Sequence, residues 1–353
     1  MHVMKTLIKT AREKKGMLVR EVAQELNIDQ ALVSKFESGA RKPTREQVIK
    51  LARLLGLNAN DLLVQWLKEK IIYEIGDDAL ALEAMMAAEA ELKQRHSAGT
   101  KVPMPKAIKS VLKEIDTCKK KLNTLREFDS YRIAQALELE YTFESNRIEG
   151  NTLTLKETDL VINEGLTISG KSMREHLEAI NHKEAIDYVK YLIDKQSEIN
   201  EREVLAIHNL ILRGIDQSNA GRYRHVQVMI KGSSHTPPAP YLVPKQMEEL
   251  FIWYETNKRS LHPVLLAAEM HERLVTIHPF VDGNGRTSRL VMNLILLKHG
   301  YVIANIKGDS KSRMAYYNAL EKVQTGGGKI DFMQLIAACE LEAIARYVSI
   351  LTK

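Results

Sequence analysis

The sequence is poor in cysteine, in aromatic side chains and in long apolar runs. Its two cysteines, Cys118 and Cys339, lie far apart and belong to no metal-binding spacing. This excludes a disulfide scaffold and indicates ordinary thiols in a reducing compartment. The first 15 residues lack the apolar core of a signal peptide, and Leu294–Leu297 is far too short to span a bilayer. We therefore expect a cytoplasmic protein with no membrane partner.

What the sequence has instead is apolar residues at helical spacing. They make up 44% of the 353 residues, which is enough for two or three domains with real cores. Strand-like stretches are few, so the pattern predicts an all-α fold. The one convincing β segment is Val226–Lys231, which alternates in polarity before a turn and is followed by the proline-rich Thr236–Pro240.

Positive charge is concentrated at the N-terminus. Residues 1–66 hold 12 Lys and Arg against 7 Asp and Glu, whereas the remainder holds 39 against 38. A basic balance confined to one small segment indicates a polyanion partner for that segment. We expect residues 1–66 to form a compact unit. A helical spacer and linker should follow at 67–105, with a helix near 65–93 and a Gly-, Ser- and Pro-containing linker at 96–105, and then a large helical domain from 106 to 353.

The basic segment contains a helix-turn-helix pattern. Val19–Leu26 is amphipathic, Asp29 is a plausible N-cap, and the next predicted helix, Gln30–Ser38, ends at Gly39. Over residues 4–63 the segment resembles the Xre/Cro repressor family. The resemblance implies DNA binding through the start of the second helix and the following loop, with five contact residues: Gln30, Ala31, Ser34, Lys35 and Arg41. A module that only contacts proteins is the alternative. Repressor-like modules usually read paired half-sites, which would suit a homodimer.

A second motif lies between two helical patterns and reads His278-Pro-Phe-Val-Asp-Gly-Asn-Gly-Arg-Thr-Ser-Arg289. Glycines before a helix N-terminus let backbone N–H groups converge on an anion. Arg286 and Arg289, three residues apart, can bind two phosphates. Asp282 can bind Mg²⁺ and His278 can act as a base. Together these residue types indicate nucleotidyl or phosphoryl transfer.

This segment matches the full Fic-family motif, and the resemblance implies AMP transfer from ATP to a Ser, Thr or Tyr hydroxyl of a target protein. It also implies a Fic N-terminal region at 106–170 and a catalytic core at 171–353. By the resemblance His278 is the base, Asp282 holds Mg²⁺, and Phe280 anchors the loop. The phosphate-binding set implied by the resemblance is Gly283, Asn284, Gly285, Arg286 and Arg289.

Other segments match the same family. Gly221–Arg224 and the following residues resemble a small β-hairpin flap that clamps the target peptide, with Gly232, Ser233, Ser234 and His235 over the nucleotide. A Tyr316-Tyr317 pair and Gln324 match positions near the adenosine, with an ordinary helix face as the alternative for Tyr316 and Gln324.

A further match is Ser145-Asn-Arg-Ile-Glu149-Gly150, which resembles the Fic inhibitory motif. Ser145 and Glu149 lie on one helix face because they are four residues apart. The resemblance implies that Glu149 pairs with Arg289 and removes the γ-phosphate ligand. Two alternatives stay open: Glu149 could instead position water for de-AMPylation, or the chain could be a nucleotide-sensing transcriptional regulator.

Overall fold

The computed structural model describes residues 3–76, 78, 80–86, 88, 105–126 and 131–352. The chain divides into two compact units, Met1–Val102 and Pro103–Lys353. The single helix predicted near 65–93 is not observed, because the helix ends at Ile75, Gly76 adopts a left-handed conformation and helical structure resumes only at 81–86. The last part of that prediction, and residues 96–104 of the linker predicted at 96–105, lie outside the described residues.

The first unit is a bundle of short helices. Their bounds are α1 Val3–Lys14, α2 Val19–Leu26, α3 Gln30–Ser38, α4 Arg45–Leu55 and α5 Ala59–Ile75. The predicted start and end signals are confirmed: Asp29 accepts a hydrogen bond from the Ala31 N–H, and Gly39 ends α3 in the left-handed conformation. The core includes Val33 and Phe36. Helix α5 continues past residue 66, so the expected boundary there falls inside a helix.

The second unit is also helical. Its elements are α6 Lys106–Leu125, α7 Tyr131–Ile148, α8 Leu155–Asn163, α9 Met173–Asp194, α10 Glu201–Leu212, the 3₁₀ turn Pro240–Leu242, α11 Val243–Asn257, α12 Pro263–Ile277, α13 Asn284–Lys298, α14 Ser310–Gln324 and α15 Ile330–Leu351. Helices α12 and α13 are packed together in the centre and are buried nearly all round. Their connection carries the glycine-rich motif, which is therefore seated on rigid, buried elements.

The predicted β-hairpin is not observed, because residues 221–240 contain no strand. A hairpin ladder needs backbone donors, and Pro237 and Pro238 have none. Side chains make the cross-connections instead. Gln227 Nε2 donates to the Pro237 carbonyl at 2.9 Å, and Arg224 Nη2 donates to the Pro238 carbonyl at 2.6 Å. An isolated two-stranded hairpin is marginal in water, so side-chain closure is physically reasonable.

Within the part of the chain that the structure describes, no helix is long and apolar enough to cross a bilayer.

Candidate active site

His278 stands at the point where α12 ends and the motif loop begins. It adopts a left-handed backbone conformation, φ +50°, which is uncommon for a residue with a side chain and often marks a functional position. Its Nδ1 lies 3.3 Å from the Val275 carbonyl. A proton on Nδ1 satisfies that carbonyl and leaves Nε2 as an acceptor. Burial lowers the pKa of His278 to about 4, so the ring is a neutral base at physiological pH.

The glycine-rich loop that was predicted to form an anion cradle leads into the N-terminus of α13. Gly283 caps the helix at φ +78°, a conformation that suits glycine. The Asn284 side chain braces the loop, since its oxygen accepts from the Phe280 N–H and its amide donates to the Phe280 carbonyl. A Cβ on Gly285 would collide with the Glu149 carboxylate. The space that glycine leaves open at this helix N-terminus therefore holds a carboxylate of this same chain.

The second motif arginine, Arg289, is buried and bound to the end of α7. Its Nε donates to Ser145 Oγ at 3.0 Å, and its Nη2 donates to the Ser145 carbonyl at 2.9 Å and to Glu149 Oε1 at 2.6 Å. Burial lowers the pKa of Arg289, but the Glu149 carboxylate opposes this and the net shift is upward. Gly150 follows at φ +97° and ends the helix. Ser145, Glu149 and Arg289 thus meet as the sequence predicted.

Asp282 belongs to a ring of four charged side chains. Arg174 Nη2 lies 2.5 Å from Asp282 Oδ2, and Arg286 Nη2 lies 3.4 Å from Oδ1. Both arginines also contact Glu178 at 3.2 Å. The Arg286 cation and the Gly283 N–H lower the pKa of Asp282 against the opposing effect of burial. Glu178 in turn accepts from Asn151, just after the inhibitory motif, so this ring is connected to the end of α7.

Asp282 fits a magnesium ligand of the nucleotide-bound kind. No cluster of three or more His, Cys, Asp or Glu side chains suited to a metal occurs among the described residues. Mg²⁺ is commonly held by one or two carboxylates and completes its shell with phosphate oxygens and water. The Asp282 side chain is 42% exposed, so it can reach such an ion.

His208 supports the loop from behind. Its ring is stacked on Phe280 with centroids 3.6 Å apart. The Gly221 N–H donates to Nδ1, so Nε2 carries the proton and donates to the Asp282 carbonyl at 3.0 Å. Burial lowers the pKa of His208 to about 4. His208 therefore packs against Phe280, the residue expected to anchor the loop, and holds the Asp282 backbone.

The segment after Gly221 is fastened to the active site by polar contacts. Arg224 is buried, and its guanidinium donates to the carbonyls of His278, Val226 and Pro238. Further along, Ser234 donates from its N–H and its hydroxyl to Glu321 of α14, at 2.8 and 2.7 Å. His235 Nε2 lies 2.9 Å from the Thr276 carbonyl, two residues before His278. Gly232 and Ser233 form the turn between these contacts.

The two tyrosines of α14 have different surroundings. Tyr316 is buried, with its hydroxyl 3.0 Å from His271 Nε2. Tyr317 is 40% exposed and donates at 3.0 Å to the carbonyl of Ile148, the last residue of α7. Gln324, at the end of α14, is half-buried. Of the three, Tyr317 has a ring that a ligand can reach and a hydroxyl that is hydrogen-bonded to the end of α7.

In the first unit the side chains of all the predicted DNA-contact residues are exposed to solvent. The five side chains are those of Gln30, Ala31, Ser34, Lys35 and Arg41. Helix α3 is fixed to α1 by Arg12 and Glu37, whose charged atoms lie 2.6 Å apart. Trp66 donates to the Pro43 carbonyl and holds the basic loop near α5. The exposed face of α3 therefore rests on a rigid support.

Sequence reasoning missed several supporting residues, chiefly Arg174, Glu178 and Arg224. Each acts through contacts with residues more than 50 positions away in the chain. The only local signal was an Arg174–Glu178 spacing of four on a helix, which is common on solvent-exposed surfaces.

This arrangement defines an all-helical protein with a glycine-rich loop at a buried helix N-terminus, a neutral histidine beside it and a separate helix-turn-helix unit. Residues 198–296 match the Fic/DOC family model and residues 8–62 match a helix-turn-helix model. The chain therefore carries a Fic domain behind a helix-turn-helix domain.

Known proteins that are similar to this chain are named for the Fic family. The chain is 38% identical over 212 residues to a protein adenylyltransferase Fic of Nematostella vectensis, covering 60% of this chain and 48% of that protein. It thus spans about half the length of the curated relatives it matches. A Fic family protein of Desulfovibrio desulfuricans is similar in structure, with TM-score 0.60, 28% identity and 69% and 74% coverage of the two chains. A Fic domain protein of Bacteroides thetaiotaomicron gives TM-score 0.62 at 26% identity, covering 68% of this chain and 98% of that one.

Proposed function

We propose that this protein transfers AMP from ATP to a hydroxyl side chain of a target protein and of itself. The observation that supports the proposal is one arrangement of residues in the candidate active site. A neutral His278 with a free Nε2 stands at the start of a glycine-rich loop, and the loop leads into a helix N-terminus that bears Arg286 and Arg289. Because relatives of this chain are named protein adenylyltransferases, AMP is the favoured transferred group.

In the proposed step, the target hydroxyl gives its proton to His278 Nε2 as its oxygen bonds to the α-phosphorus of ATP. The bond from that phosphorus to the bridging oxygen breaks, and pyrophosphate leaves. His278 then loses the proton to solvent or to the leaving group. The products are AMP-protein and pyrophosphate, and a positioned base of this kind contributes roughly 10²–10⁴-fold to rate.

The phosphates have separate partners in this proposal. Backbone N–H groups of Gly283, Asn284 and Gly285 bind phosphate oxygens, Arg286 binds the β-phosphate and Arg289 binds the γ-phosphate. Mg²⁺ held by Asp282 would supply positive charge to the phosphate chain. Gly232–His235 and Tyr317 would bound the nucleotide from the other side, together with Tyr316 and Gln324.

We infer that the observed conformation is an inhibited one. Glu149 already engages the buried Arg289 and occupies the space beside Gly285, so a γ-phosphate would have to displace it. Ser145 binds Arg289, and Gly150 ends the helix just after Glu149. Both contacts help to hold the Glu149 carboxylate in place. ATP entering without displacing Glu149 would lack one phosphate ligand and would bind in an unproductive pose.

We also propose that the first unit binds DNA. Its net charge is +5 over residues 1–66, and α3 presents polar and basic side chains to solvent. The N-terminal end of such a helix enters the major groove in proteins of this class. The enzyme could then act on the expression of its own gene as well as on a target protein.

Labelled ATP tests the activity. The wild-type protein, Glu149→Gly and His278→Ala would each be incubated with α-labelled ATP, UTP or GTP, alone and with cell lysate. We expect label on protein from ATP, more with Glu149→Gly, and none with His278→Ala although that variant still binds nucleotide. Undiminished labelling by His278→Ala would refute the role of the base. Release of AMP from pre-modified target by the wild type would favour the hydrolytic alternative.

A further inference from the structure

A cavity of about 140 Å³ lies behind the helix that carries Ser145. Helix α7 contributes Ala134, Leu137 and Glu138 to its wall, α13 contributes Leu297, and α15 contributes Ala343. Among the described residues the lining is mostly apolar, with three cations and three anions. A cavity of roughly 150 Å³ with aliphatic walls accepts a benzene-sized molecule. The volume therefore suits a small apolar body.

Two lining residues have acceptor atoms without a partner. Glu138 is 95% buried, since its exposed fraction is 5%, and its Oε1 binds Lys190 at 2.8 Å while its Oε2 has no hydrogen-bond partner. Asn305 Oδ1 also has none. Buried acceptors are normally satisfied, and an unsatisfied one costs about 1–3 kcal/mol. Both atoms would be satisfied by a ligand with N–H donors.

We propose that this cavity binds a small apolar amine, with its ring or alkyl body among the apolar side chains and its ammonium group on Glu138 and Asn305. A charged donor suits Glu138 because that carboxylate has one free oxygen in a buried setting. An anionic ligand is disfavoured by the same carboxylate.

Ligand binding in this cavity should change the rate of AMP transfer in one direction, an inference that rests on the proposed function. The cavity exists in the conformation in which Glu149 binds Arg289. Two lining residues, Glu140 of α7 and Arg346 of α15, are paired at 2.5 and 2.6 Å, so this part of the cavity wall depends on the position of α7. A ligand that fits this shape stabilises this state and shifts the population towards it. The amine therefore strengthens inhibition.

Binding is tested first, independently of any transfer activity. Benzylamine, benzyl alcohol and benzoate would be titrated into the full chain by calorimetry. We expect benzylamine to bind with a Kd on the order of 0.1–1 mM, benzyl alcohol more weakly and benzoate not at all. Glu138→Gln should weaken benzylamine about tenfold and leave benzyl alcohol within about twofold. Absence of benzylamine binding, or equal binding by Glu138→Gln, would overturn the proposal.

The effect on transfer is measured separately. At a benzylamine concentration ten times its Kd, wild-type automodification should fall about tenfold, since the rate varies as the reciprocal of one plus concentration over Kd. Glu149→Gly should still bind benzylamine but change rate by less than about twofold. Ala343→Leu, checked for folding by its melting temperature, should fill the cavity and abolish the response. Equal inhibition of the wild type and Glu149→Gly would mean competition at the active site and would overturn the allosteric effect. A chain that binds amine but modifies nothing would refute the proposed activity and leave the site intact.

Discussion

Glu149 and Arg289 lie 140 positions apart in the chain, yet Glu149 Oε1 is 2.6 Å from Arg289 Nη2. The arginine side chain is 1% exposed and the glutamate 31%. The buried guanidinium of Arg289 is paired with this carboxylate, and breaking a buried ion pair by removing one partner is costly. The γ-phosphate of ATP is another anion of suitable geometry. In the inhibition proposed above, the Glu149 carboxylate and the γ-phosphate compete for this one buried cation.

The first prediction is that Glu149→Gly raises automodification strongly. The substitution removes the competing carboxylate and its bulk beside Gly285. A hydrogen bond to a charged group contributes about 1.5–3 kcal/mol, so the competent population should rise by about one to two decades. The rate of label incorporation from ATP measures it. The gain must vanish in the double variant Glu149→Gly, Arg289→Ala, because the γ-phosphate needs the freed arginine. An unchanged rate in Glu149→Gly alone would mean that Glu149 is an ordinary residue at a helix end.

A second prediction separates two neighbouring tyrosines. Tyr317→Phe removes the hydrogen bond to the Ile148 carbonyl but keeps the ring, so the end of α7 should loosen and automodification should rise by about 2- to 13-fold, as for a bond of 0.5–1.5 kcal/mol. Tyr316→Phe is the comparison variant, because its hydroxyl contacts His271 and Arg289 but not the end of α7. In a Glu149→Gly background Tyr317→Phe should give no further gain. A gain there would place the effect on nucleotide binding rather than on inhibition, and an equal gain from Tyr316→Phe would place it on Arg289 rather than on the end of α7.

Local signals in the sequence were sufficient for most of the helices and for the position of the motif between two of them. Asp29 and Gly39 fixed the ends of α3, and the motif from His278 to Arg289 placed the base and the anion cradle between two helices. These features depend on neighbours within a few positions, which a sequence displays directly.

The features that sequence could not supply depend on tertiary contact. The alternation of Val226–Lys231 predicted a strand, but alternation specifies a face and not a partner, and the prolines opposite removed the donors that a ladder needs. Arg224 was read only as part of the flap, whereas it is buried and holds the His278 carbonyl. Its role could not be read from sequence because nothing local marks an arginine that will be satisfied by carbonyls alone.

The third prediction concerns pH. Burial, and secondarily the Arg224 cation, lower the pKa of His278 to about 4. Since a lowered pKa keeps the neutral base form at lower pH, transfer by Glu149→Gly at saturating ATP should stay nearly constant from pH 8 to about 5.5. An ordinary histidine with a pKa of about 6.5 would lose about tenfold over that range. Initial rates at constant ionic strength measure the profile, and histidine ring NMR signals compared with His278→Ala identify the group. A midpoint near 6.5 would contradict the prediction.

The last prediction concerns the first unit and DNA. The full chain should bind DNA from the region upstream of its own gene, with an affinity that falls steeply as salt rises, because Lys and Arg displace counterions from phosphates. Gln30→Ala should cost about 1–3 kcal/mol on the specific site and relax its sequence preference, since Gln at the start of α3 can form two hydrogen bonds to adenine. Arg41→Ala should weaken binding to all sequences alike and reduce the salt slope by about one. Lys121→Ala, an exposed charge in the second unit, is the charge-matched control and should change neither property. Fluorescence anisotropy with specific and scrambled duplexes at several salt concentrations distinguishes these outcomes. If no duplex is retained even at low salt, or if Lys121→Ala weakens binding as much as Arg41→Ala, the basic segment serves protein contacts and the DNA role is lost.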